Sequence, residues 1–240
     1  MKKILSILAV LGSGLIQAQV PEPTSSFKKT YLATVSESIL SLGNLGSTQT
    51  YIDGPLVSVP AEPVTSQPIP RFSAFLHFGE QLHINFANAI GMYTGFGIRN
   101  MGMINRLNDS IKVKQRVYSF GVPLAIKVGD MGKKRYAAFG AELEFFFNYK
   151  QKTFLGSGRG EKVEKFNEWA SNRTELLQPS VFAEFCFGKG KYLRIRYYLF
   201  DFLKQGNQTF KVNNVTHLWI PQQSQLFALS YGQVISKKRK

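Results

Sequence analysis

The chain has 240 residues, 44% hydrophobic and 19% charged, with 30 Lys and Arg against 15 Asp and Glu for a formal charge of +15. That length and apolar content suffice for one full domain and exclude a disordered chain. A lone cysteine, Cys186, excludes an intrachain disulfide framework and a cysteine-cluster zinc site.

Residues 1–18 read as an export signal. Met1-Lys2-Lys3 supplies the positive start, Ile4 to Ile16 an apolar run, and Gln17-Ala18-Gln19 a cleavage region cut after Ala18. No cysteine lies near that cut, which excludes a lipid anchor. Residues 19–35 follow as a lead, rich in Pro, Ser and Thr from Val20 to Ser26. Beyond this point no run of 18 apolar residues exists, so no membrane-crossing helix is expected.

From residue 36 to 235 the chain alternates with a period of two, the signature of strands. Eight are expected: Ser36–Asn44, Arg71–Phe86, Ala89–Ile104, Ile111–Val128, Arg135–Phe154, Glu175–Phe187, Lys191–Leu203 and Ser224–Ile235. The fourth sorts Tyr118, Phe120, Val122, Leu124, Ile126 and Val128 onto one face. Its other face holds Ser119, Gly121, Pro123, Ala125 and Lys127. The fifth sorts Phe139, Leu143, Phe145, Phe147 and Tyr149 from Ala138, Gly140, Glu142 and Glu144. The connections after strands two, four and six are tight, while Leu45–Pro70, Leu155–Thr174 and Lys204–Gln223 are long. Within the second of these, Glu161 to Asn172 has the spacing of a short helix, with Val163, Phe166 and Trp169 on one side. Residues 236–240 form a basic tail.

An even-stranded meander with turns at one end and loops at the other predicts an eight-stranded antiparallel up-and-down transmembrane β-barrel, an all-β fold, in a bacterial outer membrane. A soluble lipocalin-like barrel that binds an apolar ligand alternates too, with its apolar face inside. The polar face decides between them. Gly91, Gly95, Gly97, Gly121, Ala125, Ala138 and Gly140 all fall on it, and small residues suit a crowded lumen better than a wetted surface. The same face carries Glu142, Glu144, Glu184, Arg194 and Arg196. Buried charges must be paired, so these predict a lumen plugged by salt bridges. Tyr118, Phe147, Tyr149, Tyr197 and Tyr231 lie toward strand ends, where aromatic girdles form.

The segment Val122-Pro123-Leu124-Ala125-Ile126-Lys127, closed by a Gly129-Asp130 turn, resembles the "IPLLLK" strand of Bacteroidetes-type outer-membrane β-barrel proteins, a group that includes the PorT-like barrels. As in that group, a Tyr/Gly/aromatic strand follows the turn, here Arg135-Tyr136-Ala137-Ala138-Phe139-Gly140. The resemblance implies an OmpX-like barrel with a structural, adhesive or secretion-supporting role. The chain departs from such barrels in ending on Ile235-Ser236-Lys237-Lys238-Arg239-Lys240 rather than on an aromatic residue.

No cofactor or metal is expected: His77 and His83 share a strand face but stand about 20 Å apart at strand rise. A barrel enzyme modifying lipid A or phospholipid is the further alternative, with His77 and Ser73 as its nearest pair. The basic residues gather at strand ends, turns and loops, so the charge points to outer-membrane lipid and lipopolysaccharide rather than nucleic acid. The barrel-assembly machinery and other envelope or secretion proteins complete the expected partners.

Overall fold

The computed structural model describes residues 28–52, 64–107, 110–156, 160–206, 208–212, 215–221 and 223–236. The export signal (1–18), most of the lead and the basic residues 237–240 lie outside them. Eight antiparallel strands form the wall: β1 (Thr30–Asn44), β2 (Phe78–Asn85), β3 (Ile90–Arg106), β4 (Ile111–Asp130), β5 (Arg135–Leu155), β6 (Leu177–Phe187), β7 (Lys191–Tyr198) and β8 (Gln225–Ser236). Each pairs with its neighbour in sequence. The ring closes where β8 returns to β1, from Ala33 opposite Ser236 to Asn44 opposite Gln225. Closure removes the sheet edge that would otherwise recruit another chain.

The alternation now has a direction. On β4, Ser119, Gly121, Pro123, Ala125 and Lys127 point inward, while Phe120, Val122, Leu124, Ile126 and Val128 point out and are 41–59% exposed. Phe139, Leu143 and Phe145 of β5, Val181 and Phe185 of β6, Leu193 and Ile195 of β7, and Phe227 and Leu229 of β8 continue the same outer belt. Glu80 of β2 also faces outward, where Thr34 Oγ1 donates to it at 2.8 Å. Ten residues of β4, at about 3.3 Å each and tilted about 40°, span roughly 25 Å, the height of a bilayer-facing band. Water does not wet a continuous apolar surface of that size on a stable monomer. The fold is a transmembrane β-barrel.

Both described ends of the wall, the start of β1 and the finish of β8, lie with the tight turns. At the opposite end β3, β4 and β5 run on past the belt, and the long connections contribute strands of their own. Glu161–Trp169 pairs with the upper part of β5, and Gln67–Ile69 with the upper part of β3. A separate sheet runs in the order Gln208–Val212, Val215–Pro221, Ser47–Ile52, Val64–Thr65.

Five expectations change. The seventh strand ends at Tyr198, five residues before Leu203. The first strand starts at Thr30, six residues before Ser36. Glu161 to Asn172 is not a helix: Glu161–Trp169 is a strand, because the upper part of β5 would otherwise present unpaired backbone on that side. The second strand is broken rather than continuous. Arg71–Ser73 pairs with β1, the chain turns aside through Leu76 at φ 62°, and pairing resumes at Phe78. Finally, Tyr149 faces inward, 1% exposed. In the β4–β5 ladder Tyr118 pairs with Asn148 and Ser119 with Phe146, so Phe147 is an extra residue that reverses the parity beyond it.

Leu124 lies mid-belt, 56% exposed. Replacing Leu124 by Arg should destabilise the barrel by about 2–4 kcal/mol in urea unfolding from lipid vesicles. The inward position Ala125 offers no such lipid contact, so the penalty tests which face meets the bilayer.

Candidate functional site

The site is the lumen, built from inward positions of five strands. β1 contributes Glu37, β3 Arg99 and Tyr93, β5 Glu142 and Glu144, β6 Glu184, and β7 Arg194, Arg196, Tyr192 and Tyr198. All are buried. The five charges expected from the sequence meet here. Arg194 Nη2 lies 2.6 Å from Glu184 Oε2, and Arg196 Nη2 lies 2.6 Å from Glu142 Oε2. Arg196 Nη1 pairs with Glu144.

Glu37 and Arg99 join the network and tie it together. Arg99 Nε lies 2.6 Å from Glu37 Oε1, and its Nη1 pairs with Glu142. Arg194 Nη1 reaches the other Glu37 oxygen at 3.5 Å. Arg99 could have been read from parity, since it follows Gly95 and Gly97 on the lumen face. Glu37 could not, because its inward register also holds Val35 and Ile39 while Ser36 and Ser38 face out.

Four carboxylates face three guanidiniums, and hydroxyls satisfy the surplus oxygens. Ser119 Oγ and Tyr198 OH donate to Glu144 at 2.5 and 2.7 Å. Tyr93 OH donates to Glu184 at 3.2 Å and Tyr192 OH to Glu37 at 3.1 Å. The Arg194 guanidinium also lies between the Phe182 and Tyr192 rings, 4.9 Å from each centroid. A fully connected set is what buried charge requires. Space enforces it: a Cβ on Gly121 would overlap Glu142 Oε1 and crowd Arg99.

Below the network lies a cationic layer. Among the residues of the family-like segment, Val122 and Leu124 point to lipid, Pro123 points inward, and Lys127 is fully buried. Lys127 Nζ donates to Asn85 Oδ1 at 2.7 Å and lies 3.1 Å from His83 Nδ1, between the Tyr31 and Tyr136 rings. Cys186 is buried in this layer, and its Sγ donates to Lys134 O. Above the network an apolar layer forms, including Met101, Val117, Phe146, Tyr149, Phe210 and Trp219. A cavity of ≈ 10 Å³ bordered by Glu37, His77, Gln81 and Arg99 has room for about one water. Three filled layers therefore stand between the two mouths.

His77 and Ser73 do come together, Nε2 to Oγ at 2.8 Å, but at the break in β2. His77 Nδ1 accepts from the Asn100 N–H at 3.3 Å. In a neutral ring the proton then sits on Nε2 and is given to Ser73, the reverse of what deprotonating a serine needs. The pair instead serves the wall. Arg71 donates to Asn100 O at 3.1 Å and Oδ1 at 2.6 Å, and Ser41 Oγ donates to Gly102 O at 2.5 Å. Side chains thus satisfy the β3 groups that the broken strand leaves exposed. Among the described residues no group of three His, Cys, Asp or Glu is arranged to hold a metal.

Arg99→Met would strand Glu37 and Glu142 without their shared partner. The expected cost is about 3–5 kcal/mol in vesicle unfolding, with part recovered by adding Glu37→Gln.

No family model and no curated protein matches the sequence. Among solved structures, the outer membrane protein OprG from Pseudomonas aeruginosa is similar, with 8% identity, a TM-score of 0.39, and coverage of 89% of this chain and 99% of that one. Ail, the attachment invasion locus protein of Yersinia pestis, gives 14%, 0.30, 85% and 99%. Neisserial surface protein A gives 13%, 0.29, 85% and 99%.

Proposed function

We propose that this chain is an integral outer-membrane barrel with a closed lumen, acting through its outer surface and loop end as an adhesive, structural or assembly component of the envelope. One observation carries the reading: the apolar face is outside and the charged face inside, with the interior filled from mouth to mouth. The tight turns and both described ends of the wall face the periplasm in this orientation, and the extended strands and the small sheet face outward. The Val122–Lys127 segment, which resembles the PorT-like barrels, adds support of a secretion complex to the candidate roles.

A lipocalin-like ligand carrier needs its apolar face within. Here Leu124, Ile126 and Ile195 point out while Glu142, Arg194 and Arg196 fill the centre. Catalysis on lipid has little to draw on, since the His77–Ser73 pair is engaged in closing a gap in the wall.

The protein should fractionate with the outer membrane and migrate differently on gels before and after heating. Recovery as a soluble periplasmic protein without detergent would overturn the location. In planar bilayers the purified barrel should show no steady conductance; an open channel of fixed conductance would overturn the closed lumen.

A further inference from the structure

The outer wall above the belt carries charge in a pattern that the lumen does not explain. There β4, β5 and Glu161–Trp169 lie side by side, and register sets their outward side chains in rows. Lys114 stands opposite Lys152, which stands opposite Lys165. Arg116 stands opposite Lys150, which stands opposite Asn167. The next row toward the belt is aromatic. Tyr118, Phe147 and Trp169 stack with centroids 6.4 and 6.0 Å apart, and the Arg116 guanidinium lies 5.4 Å from the Tyr118 centroid.

Two carboxylates of Glu161–Trp169, Glu164 and Glu168, turn away from this face. Glu164 accepts from buried Thr153 at 3.1 Å and Glu168 from buried Ser171 at 2.6 Å. Among the described residues, none of Lys114, Arg116, Lys150, Lys152 and Lys165 has a carboxylate within ion-pair distance. Like charges directly opposite one another on a sheet repel. Burial, and then the charges of Arg71, Lys152, Arg116 and Lys112, push the Lys114 ammonium below its ordinary range. The Arg116 Nε is buried with no acceptor among the described residues. The side chains of Lys114, Arg116, Lys150 and Lys152 border a cavity of ≈ 40 Å³.

We propose that this face binds a phosphate-bearing lipid of the outer leaflet, its phosphate among Lys114, Arg116, Lys150 and Lys152 and its acyl chains along the aromatic row and the belt. A phosphate supplies the two things the site lacks: negative charge between opposed cations and acceptor oxygens for Arg116. The aromatic row directly beneath selects a lipid over a soluble anion, because it lies where head groups meet chains. The inference rests on the loop end facing outward from an outer membrane.

The test uses the full barrel in detergent micelles, titrated with lipid A carrying both phosphates, with its dephosphorylated form, and with inorganic phosphate. The phosphorylated lipid should bind at least about tenfold tighter than the dephosphorylated one, and K114Q/K152Q should lose about tenfold or more. Lys189→Gln with Lys191→Gln, at the turn end, should bind as the unaltered protein does. Equal binding of the two lipids, an unchanged K114Q/K152Q variant, or inorganic phosphate competing as strongly as the lipid would each overturn the proposal. Fractionation of the same proteins separates the two levels. A variant that inserts and shifts on heating, yet binds lipid A unchanged, sinks the site alone; an unaltered chain absent from the outer membrane sinks the reading beneath it.

Discussion

The interaction on which this structure depends is the ion network at the centre of the lumen. An eight-stranded ring encloses a space that side chains can fill, and here it is filled with charge. Removing Glu37, Glu142, Glu144 and Glu184 from water is tolerable only because Arg99, Arg194 and Arg196 arrive from facing strands at bonding distance. That requirement reaches back into the sequence. It fixes strand register, since a slip of one residue would turn the charges to lipid. It asks for glycine at position 121, where any side chain would collide with Glu142. It also recruits Tyr93, Tyr192 and Tyr198, whose rings fill volume while their hydroxyls satisfy carboxylate oxygens.

The rest of the molecule follows from this inversion. With the interior polar, the apolar residues that build an ordinary core go to the outer belt. Where the strands leave the membrane at the loop end, an interior apolar core forms in which Phe210 and Trp219 of the small sheet pack with Phe146 of β5. The outer surface changes character at the same level, from the stacked Tyr118, Phe147 and Trp169 to rows of lysine and arginine. One wall thus meets three media: hydrocarbon, the head-group zone and water.

Much of this was legible because strand alternation is a local property. The inward and outward sets of β4, and the inward Glu142, Glu144, Glu184, Arg194 and Arg196, follow from counting by twos. What escaped was each place where the count is interrupted. Phe147 is an ordinary phenylalanine in the sequence, and only its pairing makes it the extra residue that turns Tyr149 inward. The break between Ser73 and Phe78 depends on Leu76 adopting a left-handed conformation that no glycine announces. Glu161–Trp169 has a mixed pattern that suits a helix in isolation, and its identity is set by the exposed edge of β5. Arg99 was visible in principle, because it shares the parity of the lumen face, whereas Glu37 lies in a register with Val35 and Ile39, and its place as a partner across the ring is named by closure and not by neighbours in sequence.

The break in β2 has a mechanical consequence. Elsewhere the wall is held by ladders of backbone bonds that must open together. Beside Asn100 and Gly102 it is held instead by Ser41, Arg71 and His77, a few side-chain contacts on rotatable stems. Separating the strands there breaks side-chain bonds one at a time rather than a shared ladder, so this sector is a seam of the cylinder, less stiff than the laddered wall beside it.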